Sequence, residues 1–228
     1  IMNQKLTILF DLDGTLIDTA PDLVLAHNHV MKKFGFKTKP IEEIKALVGM
    51  GAKSMFGKAL WHEAKEELKK INEKDIKDKM VKEFINFYGN NILVESKLIN
   101  GAKDFLIWCK ENKISMGVCT NKQEHLAVDL LKKIKINHFF EYVAGSNTFD
   151  YCKPDPRHLT SVIEIMGGDI KKTIMVGDSD VDAKSAQNAS LPFVLLEGGY
   201  TDVKVSQMKH DHLIKDFTEL SKIIKNYL

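Results

Sequence analysis

Five short apolar stretches, rich in β-branched residues, end at turn or acidic residues: 6–10, 114–119, 142–144, 173–176 and 193–196. This pattern predicts five strands. Helical periodicity lies between the later ones, for example over 124–134 and 158–166, and strands that alternate with helices form parallel βαβ units. We therefore expect an α/β fold with a doubly wound parallel sheet, in which ligands bind beyond the carboxyl ends of the strands.

The pattern changes after the first strand, because residues 21–88 show helical periodicity without a convincing strand. One helix is predicted over 21–35 and a second from about 40 to 49, since each stretch has Pro near its start and Gly at its end. Farther along, apolar residues recur at spacings of three and four: Ile76, Met80, Val81, Phe84, Phe87 and Tyr88. This spacing predicts an apolar helix face in the core of a helical bundle.

We interpret this stretch as a helical cap domain inserted into the sheet domain. The predicted boundaries place residues 18–94 in the cap segment, and residues 1–17 and 95–228 in the core. Mixed charges over 63–83 are typical of a solvated helix face. Trp61 and Trp108 are expected to pack against apolar neighbours.

Charge and hydropathy then narrow the kind of partner. The 33 Lys and Arg residues nearly balance the 31 Asp and Glu residues, so no global field attracts nucleic acid or an anionic membrane surface. No apolar run approaches the roughly 20 residues that cross a bilayer, and residues 1–5 lack a signal-peptide pattern. Cys109, Cys119 and Cys152 lack C-x-x-C spacing and are interpreted as reduced structural thiols. We expect a soluble cytoplasmic protein that binds a small molecule; the oligomeric state is left open.

The first predicted strand runs directly into two carboxylates, Asp11 and Asp13. If the chain stays extended, the period of two directs both side chains to one side while Leu12 packs on the other. Two such carboxylates repel each other, so the spacing favours a site in which a cation or a proton separates them and each acid has its own role. The alternative is that Asp and Gly simply end the strand.

A second acidic cluster, Asp178, Asp180 and Asp182, follows the fourth predicted strand. Acidic residues are also common in the first turn of a helix, so this cluster alone indicates little. Two carboxylate clusters at the ends of two parallel strands, however, are what a hard-cation site with oxygen ligands requires. If Asp178 opens the helix, Asp182 lies on the same face one turn later and Asp180 points elsewhere.

Groups that suit a phosphate follow the other strands. Thr120 and Asn121 end the second strand just before a helix, where a hydroxyl and backbone N–H groups can meet an anion. Thr120 could equally be an N-cap. Lys153 precedes Pro154, which favours an extended backbone, and Asp155 and Pro156 predict a helix start directly after it.

In this order, the four motifs resemble the haloacid dehalogenase superfamily of phosphohydrolases. The D-x-D-G-T motif of that family matches 11–15, its Thr or Ser matches Thr120, its Lys matches Lys153, and its G-D-x-x-x-D matches 177–182. The insertion after the first motif resembles the cap domain of one subgroup. Within the superfamily, residues 10–23, 48–52, 120–122 and 153–156 are most similar to phosphoglycolate phosphatases.

The resemblance implies a role for each residue. Asp11 would attack phosphorus to form an aspartyl-phosphate, and Asp13 would act as general acid and then as general base. Mg²⁺ would bind Asp11, Asp178 and the backbone carbonyl of Asp13. Three further groups, Thr120, the Asn121 backbone and Lys153, would hold the phosphoryl oxygens. Asp182 would orient Lys153 or a metal-bound water.

Other functions stay open at this stage. Pyrophosphatases, nucleotidases, sugar-phosphate phosphatases and hexose-phosphate mutases share the core motifs, and a non-catalytic protein could retain the fold. Dehalogenation fits poorly, because it does not need the acid that Asp13 supplies. Lys53 could reach a substrate carboxylate or could be a solvated lysine. His210 and His212 flank Asp211, but the family has a short strand there, so we expect no metal site. A last helix is predicted over 216–227.

Overall fold

The structure of the protein is a computed structural model that describes residues 5–57, 66 and 70–228. Its main feature is a six-stranded sheet in which every strand pair is parallel. The strands are β1 Thr7–Phe10, β4 Ser115–Cys119, β5 Tyr142–Ala144, β6 Thr173–Gly177, β7 Phe193–Leu196 and β8 His212–Ile214. Their order across the sheet is β5-β4-β1-β6-β7-β8. The α/β fold with a doubly wound parallel sheet is thus confirmed, as are the five strands predicted from the apolar pattern.

Two strands outside this sheet form a short antiparallel pair: β2 Ile17–Asp18 and β3 Lys97–Leu98. The apolar pattern predicted neither them nor β8, since runs of two or three residues carry too little periodicity to stand out. The pair lies near the two predicted crossings between core and cap segment. The boundaries 1–17, 18–94 and 95–228 themselves stay a prediction.

The strand order decides where a ligand can bind. From β1 the chain builds the sheet outward through β4 and β5, and then returns to the other side of β1 with β6. The connections on the two sides of β1 therefore diverge beyond the carboxyl ends of β1 and β6, and in open α/β sheets a ligand crevice forms at this reversal. Residues that directly follow β1 and β6 face this crevice.

Eight α-helices lie in the described part of the chain. They are α1 Ala20–Lys33, α2 Ile41–Val48, α3 Glu73–Asn90, α4 Ala102–Glu111, α5 Glu124–Lys133, α6 Pro156–Ile165, α7 Asp180–Asn188 and α8 Leu220–Ile224. No described helix is long and apolar enough to cross a bilayer. Trp61 and part of the charged stretch 63–83 lie outside the described residues, whereas Trp108 packs against Phe105 as expected.

The predicted last helix, 216–227, is wrong as a single element. It is a 3₁₀ turn Phe217–Glu219, the short helix α8 and a second 3₁₀ turn Lys225–Tyr227. Asp216 accepts hydrogen bonds from the backbone N–H and the hydroxyl of Thr218, and these local bonds favour a tight first turn. Buried Phe217 and Leu220 then anchor the segment to the apolar core.

Alternation along β1 divides the apolar core between the two faces of the sheet. Ile8 and Phe10 belong to a cluster that continues into the cap segment through Phe56 and Phe84. Leu9 belongs to a second cluster on the opposite face. A strand buried on both faces reads as a continuous apolar run, which explains why β1 was predictable from the sequence.

The cysteines are free in the structure. Burial raises the pKa of the Cys109 and Cys119 thiols to about 12, so both stay protonated and pack as small apolar groups.

Candidate active site

The two acidic strand ends meet beyond β1 and β6. Carboxylate oxygens of Asp11, Asp178 and Asp182 lie within 4.8 Å of one another, and all three residues are buried. Leu12, between Asp11 and Asp13, is fully buried in the apolar core. Asp11 and Asp13 thus face the crevice together, as the strand period requires.

A buried lysine separates two of these acids. The Lys153 ammonium lies 2.8 Å from Asp11 Oδ1 and 2.6 Å from Asp182 Oδ1. It is positioned by the start of α6, where the Asp155 side chain caps the Arg157 N–H and Pro156 occupies the first turn, as predicted. Two carboxylates raise the pKa of Lys153, against the lowering effect of burial, so the lysine is a permanent cation of the site.

Asp182 is held from behind by the start of α7. The condition that Asp178 opens this helix is not met, because Ser179 is the N-cap and the helix begins at Asp180. Asp182 Oδ2 accepts hydrogen bonds from the backbone N–H groups of Asp178 and Ser179 and from the Ser179 hydroxyl. A capping box therefore orients the carboxylate that in turn holds Lys153.

Asp178 is enclosed by neutral donors and by two glycines. The Thr15 hydroxyl donates to Oδ1 at 2.5 Å and the Tyr200 N–H donates to Oδ2 at 2.6 Å. A Cβ on Gly14 would lie 2.5 Å from Asp178 Oδ2, and one on Gly199 would lie 2.3 Å from the same atom. Only glycine permits backbone to approach the carboxylate this closely.

Burial and like charges act on these acids together. Desolvation and the neighbouring Asp182 raise the pKa of Asp11 to about 7, although Lys153 lowers it. Desolvation, with Asp182 and Asp11, also raises the pKa of Asp178 well above its ordinary value. Among the described residues, no lysine or arginine forms an ion pair with Asp178. A buried carboxylate with no cationic partner favours the binding of a metal ion.

The donor set fits a hard divalent cation such as Mg²⁺. Asp182 is already paired with the Lys153 ammonium and with the donors at the start of α7, whereas Asp178 accepts from neutral donors alone among the described residues. Asp11 and Asp178 are therefore the carboxylates that would hold the ion, with Asp182 supporting Lys153 behind them. Mg²⁺ retains several waters and needs few protein ligands, all of them oxygens.

Asp13 faces a second buried lysine, which was not among the residues predicted from the sequence. The Lys122 ammonium lies 2.8 Å from Oδ1 and 2.9 Å from Oδ2 of Asp13, and the Thr19 hydroxyl donates to Oδ1 at 2.7 Å. The Lys122 ammonium also lies 4.5 Å from the centre of the Tyr88 ring on α3. The signal available in the sequence was a lysine directly after the Thr120–Asn121 pair at a strand end.

Thr120 and Asn121 lie at the same edge of the sheet. Thr120 is not a helix N-cap, because α5 begins after Gln123; its hydroxyl instead accepts from the Lys122 N–H. The Asn121 side chain donates to the carbonyls of Gly49 and Lys153 at 3.1 and 2.9 Å. Asn121 thereby joins the core to the loop after α2 in the cap segment.

A cavity of about 300 Å³ lies between Asp13 and the cap segment. Its polar lining includes Asp13, Asn121 and Lys122 from the core, and its apolar lining includes Val48, Met55 and Phe84 from the cap segment. Lys53, which is exposed to solvent, also lines the cavity and directly precedes a 3₁₀ turn Ser54–Phe56. Asp11, Lys153 and Asp178 are buried and do not belong to the lining of this cavity.

The remaining histidine candidates make structural contacts. His212 lies on β8 and contacts the Tyr227 hydroxyl, and His210 contacts the Met208 carbonyl. Among the described residues, the one group of three acidic, cysteine or histidine side chains whose ligand atoms lie within 4.8 Å of one another is Asp11, Asp178 and Asp182. The expected absence of a metal site at His210 and His212 stays a prediction.

Comparison with known proteins gives a consistent assignment. The family model described as haloacid dehalogenase-like hydrolase matches residues 8–196. The phosphoglycolate phosphatase of Agrobacterium fabrum is 38% identical over 213 residues, which cover 93% of this chain and 89% of the relative. That of Mesorhizobium japonicum is 35% identical over 214 residues, covering 94% and 92%.

The fold agrees with this assignment. The crystal structure of a protein described as a predicted phosphoglycolate phosphatase, from Haemophilus somnus, superposes with a TM-score of 0.89 at 28% identity. The match covers 98% of this chain and 99% of that one, so the similarity includes the cap segment as well as the core.

Proposed function

The chain belongs to the haloacid dehalogenase-like hydrolase family, and from that premise we propose that it is a Mg²⁺-dependent phosphatase that acts through an aspartyl-phosphate on Asp11. The family and the phosphoglycolate phosphatase relatives indicate a phosphoric monoester hydrolase. The observation that carries the mechanism is the position of Lys153 between Asp11 and Asp182, with Asp178 within 4.8 Å.

In the proposed mechanism, Asp11 attacks the phosphorus and the ester oxygen leaves. Lys153, the Thr120 hydroxyl and the Asn121 N–H stabilise the charge on the phosphoryl oxygens, where positioning and electrostatics supply most of the rate. Asp13 gives a proton to the leaving alkoxide and then takes one from the water that hydrolyses the acyl-phosphate. Two displacements replace one difficult hydrolysis.

The metal contributes charge neutralisation. Four buried carboxylates, Asp11, Asp13, Asp178 and Asp182, face two buried ammonium groups, Lys122 and Lys153. The cluster therefore carries a formal surplus of about two negative charges, which a single divalent cation balances. When bound at Asp11 and Asp178, Mg²⁺ would reduce the repulsion between the phosphate dianion and the nucleophile.

We propose 2-phosphoglycolate as the substrate. Relatives named phosphoglycolate phosphatase cover more than nine tenths of the chain, and a cavity of about 300 Å³ suits a small ester. Pyrophosphate, nucleoside monophosphates and sugar phosphates are the competing substrates. A phosphate-release screen in Mg²⁺ would rank them by kcat/KM.

The competing reaction is phosphoryl transfer between sugar hydroxyls, in which the cap segment excludes water from the intermediate. Rapid release of inorganic phosphate would favour the hydrolase, whereas transfer without release would favour the mutase. Absence of phosphate release and of transfer across the whole panel would favour a non-catalytic protein.

Replacing the nucleophile tests the mechanism. Asp11→Asn should lower phosphate release by at least about 10³-fold, because the amide has nearly the same shape but is a poor nucleophile. Circular dichroism and urea unfolding should report an intact fold. Asp180→Asn is the control, since Asp180 begins α7 in the second acidic cluster but pairs with Lys184 on the surface. Wild-type turnover by Asp11→Asn, with deamidation excluded by mass spectrometry, would contradict the assignment.

A further inference from the structure

Lys122 is a buried cation that the mechanism above leaves without a role. Its ammonium contacts both oxygens of Asp13 and lies over the ring of Tyr88. A lysine is rarely buried unless its charge is paired. This buried charge lines the cavity together with Asp13.

The two buried lysines differ in how many carboxylates hold them. Lys153 lies between Asp11 and Asp182 and is fixed from both sides. Lys122 forms its described ion pair with Asp13 alone. An ammonium has three N–H donors and turns freely about its terminal bond, so Lys122 can take a further anionic partner on the side of the cavity.

A second anionic partner for Lys122 would free an oxygen of Asp13. As the proposed acid and base, it must present an oxygen to the leaving group, yet Lys122 contacts both oxygens and Thr19 also donates to Oδ1. A second anion beside Lys122 would draw the ammonium away from at least one oxygen of Asp13. That oxygen would then be available to the ester.

The charge of the cavity favours an anionic occupant. Among the described residues that line it, Asp13 is the one carboxylate, while Lys122 and Lys53 are cations. The remaining lining is neutral, with apolar side chains from the cap segment and polar ones such as Ser146 and Asn147 from the core. An ester with a neutral leaving group would leave this positive charge without a new partner.

We propose that Lys122 is the specificity-determining residue of the cavity, and that it selects phosphate esters whose leaving group carries a carboxylate by pairing with that carboxylate and releasing Asp13. The inference rests on the proposed phosphatase function and deepens it. It assigns the substrate carboxylate to buried Lys122 and not to exposed Lys53.

A pair of matched substrates tests this selectivity. 2-Phosphoglycolate carries a carboxylate where 2-hydroxyethyl phosphate carries a neutral CH₂OH group. The quantity measured is the kcat/KM value for 2-phosphoglycolate divided by that for 2-hydroxyethyl phosphate. Lys122→Met should lower this ratio by about 10- to 100-fold, as expected for one lost charge-assisted contact. Lys122→Arg, which keeps the charge, should retain more of the ratio than Lys122→Met.

The ratio removes two confounding effects. Any damage to Asp13 that is shared by both substrates cancels, and so does a loss of folded enzyme in the same preparation. Lys133→Met, an exposed lysine on α5 that pairs with Asp129, is the control and should leave the ratio unchanged. If Lys122→Met lowers kcat/KM equally for both substrates, Lys122 only positions Asp13. If Lys53→Met lowers the ratio more than Lys122→Met does, the substrate carboxylate contacts Lys53. Either result overturns the proposal.

Calorimetric binding separates this inference from the proposed function. In the Asp11→Asn background with Mg²⁺, 2-phosphoglycolate should bind more tightly than 2-hydroxyethyl phosphate, and Lys122→Met should remove most of that preference. If wild type releases no phosphate from either ester, the proposed function fails, while a preference that depends on Lys122 would still support the carboxylate site. Binding of both esters with equal affinity would overturn it.

Discussion

Different interactions hold the two sides of the site: the core wall, which is the buried network of acids and lysines at the carboxyl ends of β1 and β6, and the cap wall, which lines the cavity with side chains of the cap segment. On the core side, Lys153 joins Asp11 to Asp182, and Asp182 is itself fixed by the capping box of α7. On the cap side, contacts with the core include the ring of Tyr88 over Lys122 and the Gly49 carbonyl bonded to Asn121. The core wall is a buried charge network, whereas the cap wall supplies apolar surface and a few single contacts.

We expect this difference to assign catalysis to the core wall and the choice of substrate to the cap wall. Buried charges are costly unless each is paired in good geometry, so removing one member of the core network affects all the others. The cap wall packs as helices that share an apolar face, and such surfaces tolerate changes of shape. We expect substitutions in the core wall to change both stability and catalysis, and substitutions in the cap wall to act mainly on substrate choice.

The largest difference in the free energy of unfolding is expected between substitutions of the two buried lysines. Lys153→Met leaves Asp11 and Asp182 without their cation and should lower the free energy of unfolding by about 3–5 kcal/mol. Lys122→Met leaves one carboxylate, which borders the cavity and can be reached by water, and should cost about 1–3 kcal/mol. Urea unfolding of both variants provides the comparison. Equal losses would mean that Lys122 and Lys153 are held equally firmly, against the difference in their numbers of carboxylate partners.

A pair of adjacent glycines sharpens the comparison within the core wall. A Cβ on Gly199 would lie 2.3 Å from Asp178 Oδ2, so Gly199→Ala should cost about 1–3 kcal/mol of stability. It should also raise the Mg²⁺ concentration for half-maximal activity by about tenfold or more, as the displacement of a supporting contact does. Enzyme activity titrated with Mg²⁺ measures this.

Gly198→Ala is the control for that experiment. Gly198 has a φ of +77° and no atom within 4 Å of an added Cβ, so alanine there should cost about 1–2 kcal/mol from backbone strain alone. The Mg²⁺ dependence should stay that of wild type. A shifted Mg²⁺ titration in Gly198→Ala would show that loop conformation, and not the approach to Asp178, controls the metal site.

A substitution at the junction between core and cap segment should lower the free energy of unfolding by an intermediate amount. Asp22, in the first turn of α1, accepts hydrogen bonds from the backbone N–H groups of Val94, Glu95 and Ser96 and from the Ser96 hydroxyl. Asp22→Asn should lower the free energy of unfolding by about 1–3 kcal/mol, because the amide accepts fewer and weaker bonds. Asp104→Asn, an exposed acid in the first turn of α4, is the matched control.

The effect of Asp22 should also depend on pH. Burial alone would raise the pKa of Asp22, but the bonds from residues 94–96 lower it below its ordinary value. A lowered pKa in the folded state stabilises the protein above the unfolded-state pKa, and this contribution disappears as the pH falls through the folded-state value. The stability difference between wild type and Asp22→Asn should therefore shrink on acidification. A difference that grows would contradict this account.

The smallest change in stability and in kcat/KM is expected from a substitution in the cap wall. The Tyr88 hydroxyl is buried without a hydrogen-bond partner among the described residues, while its ring stacks on Phe84 and lies under Lys122. Tyr88→Phe keeps both ring contacts and should change stability by less than about 1 kcal/mol and kcat/KM by no more than about twofold. Tyr88→Leu, which removes the ring, should have the larger effect. The reverse order would assign a function to the hydroxyl.

The sequence by itself predicted the features that depend on local pattern. Continuous apolar runs identified β1, β4, β5, β6 and β7, and the acids Asp11, Asp178 and Asp182 follow two of those strands. Because parallel strands end at one edge of a sheet, residues distant in the chain could be placed together without knowledge of the fold. Pro154, Asp155 and Pro156 likewise placed Lys153 shortly before the start of α6.

The contacts that only the tertiary structure decided join segments with no common pattern. Lys122 follows a strand end like many solvated lysines, and its burial depends on Asp13 and on the Tyr88 ring from a helix of the cap segment. Asp22 resembles an ordinary acid in a first helical turn until residues 94–96 donate to it. Gly199 resembles a turn glycine until Asp178 lies against it. Periodicity carries information about which face of an element is buried, whereas the identity of the opposing atoms depends on how separate elements pack.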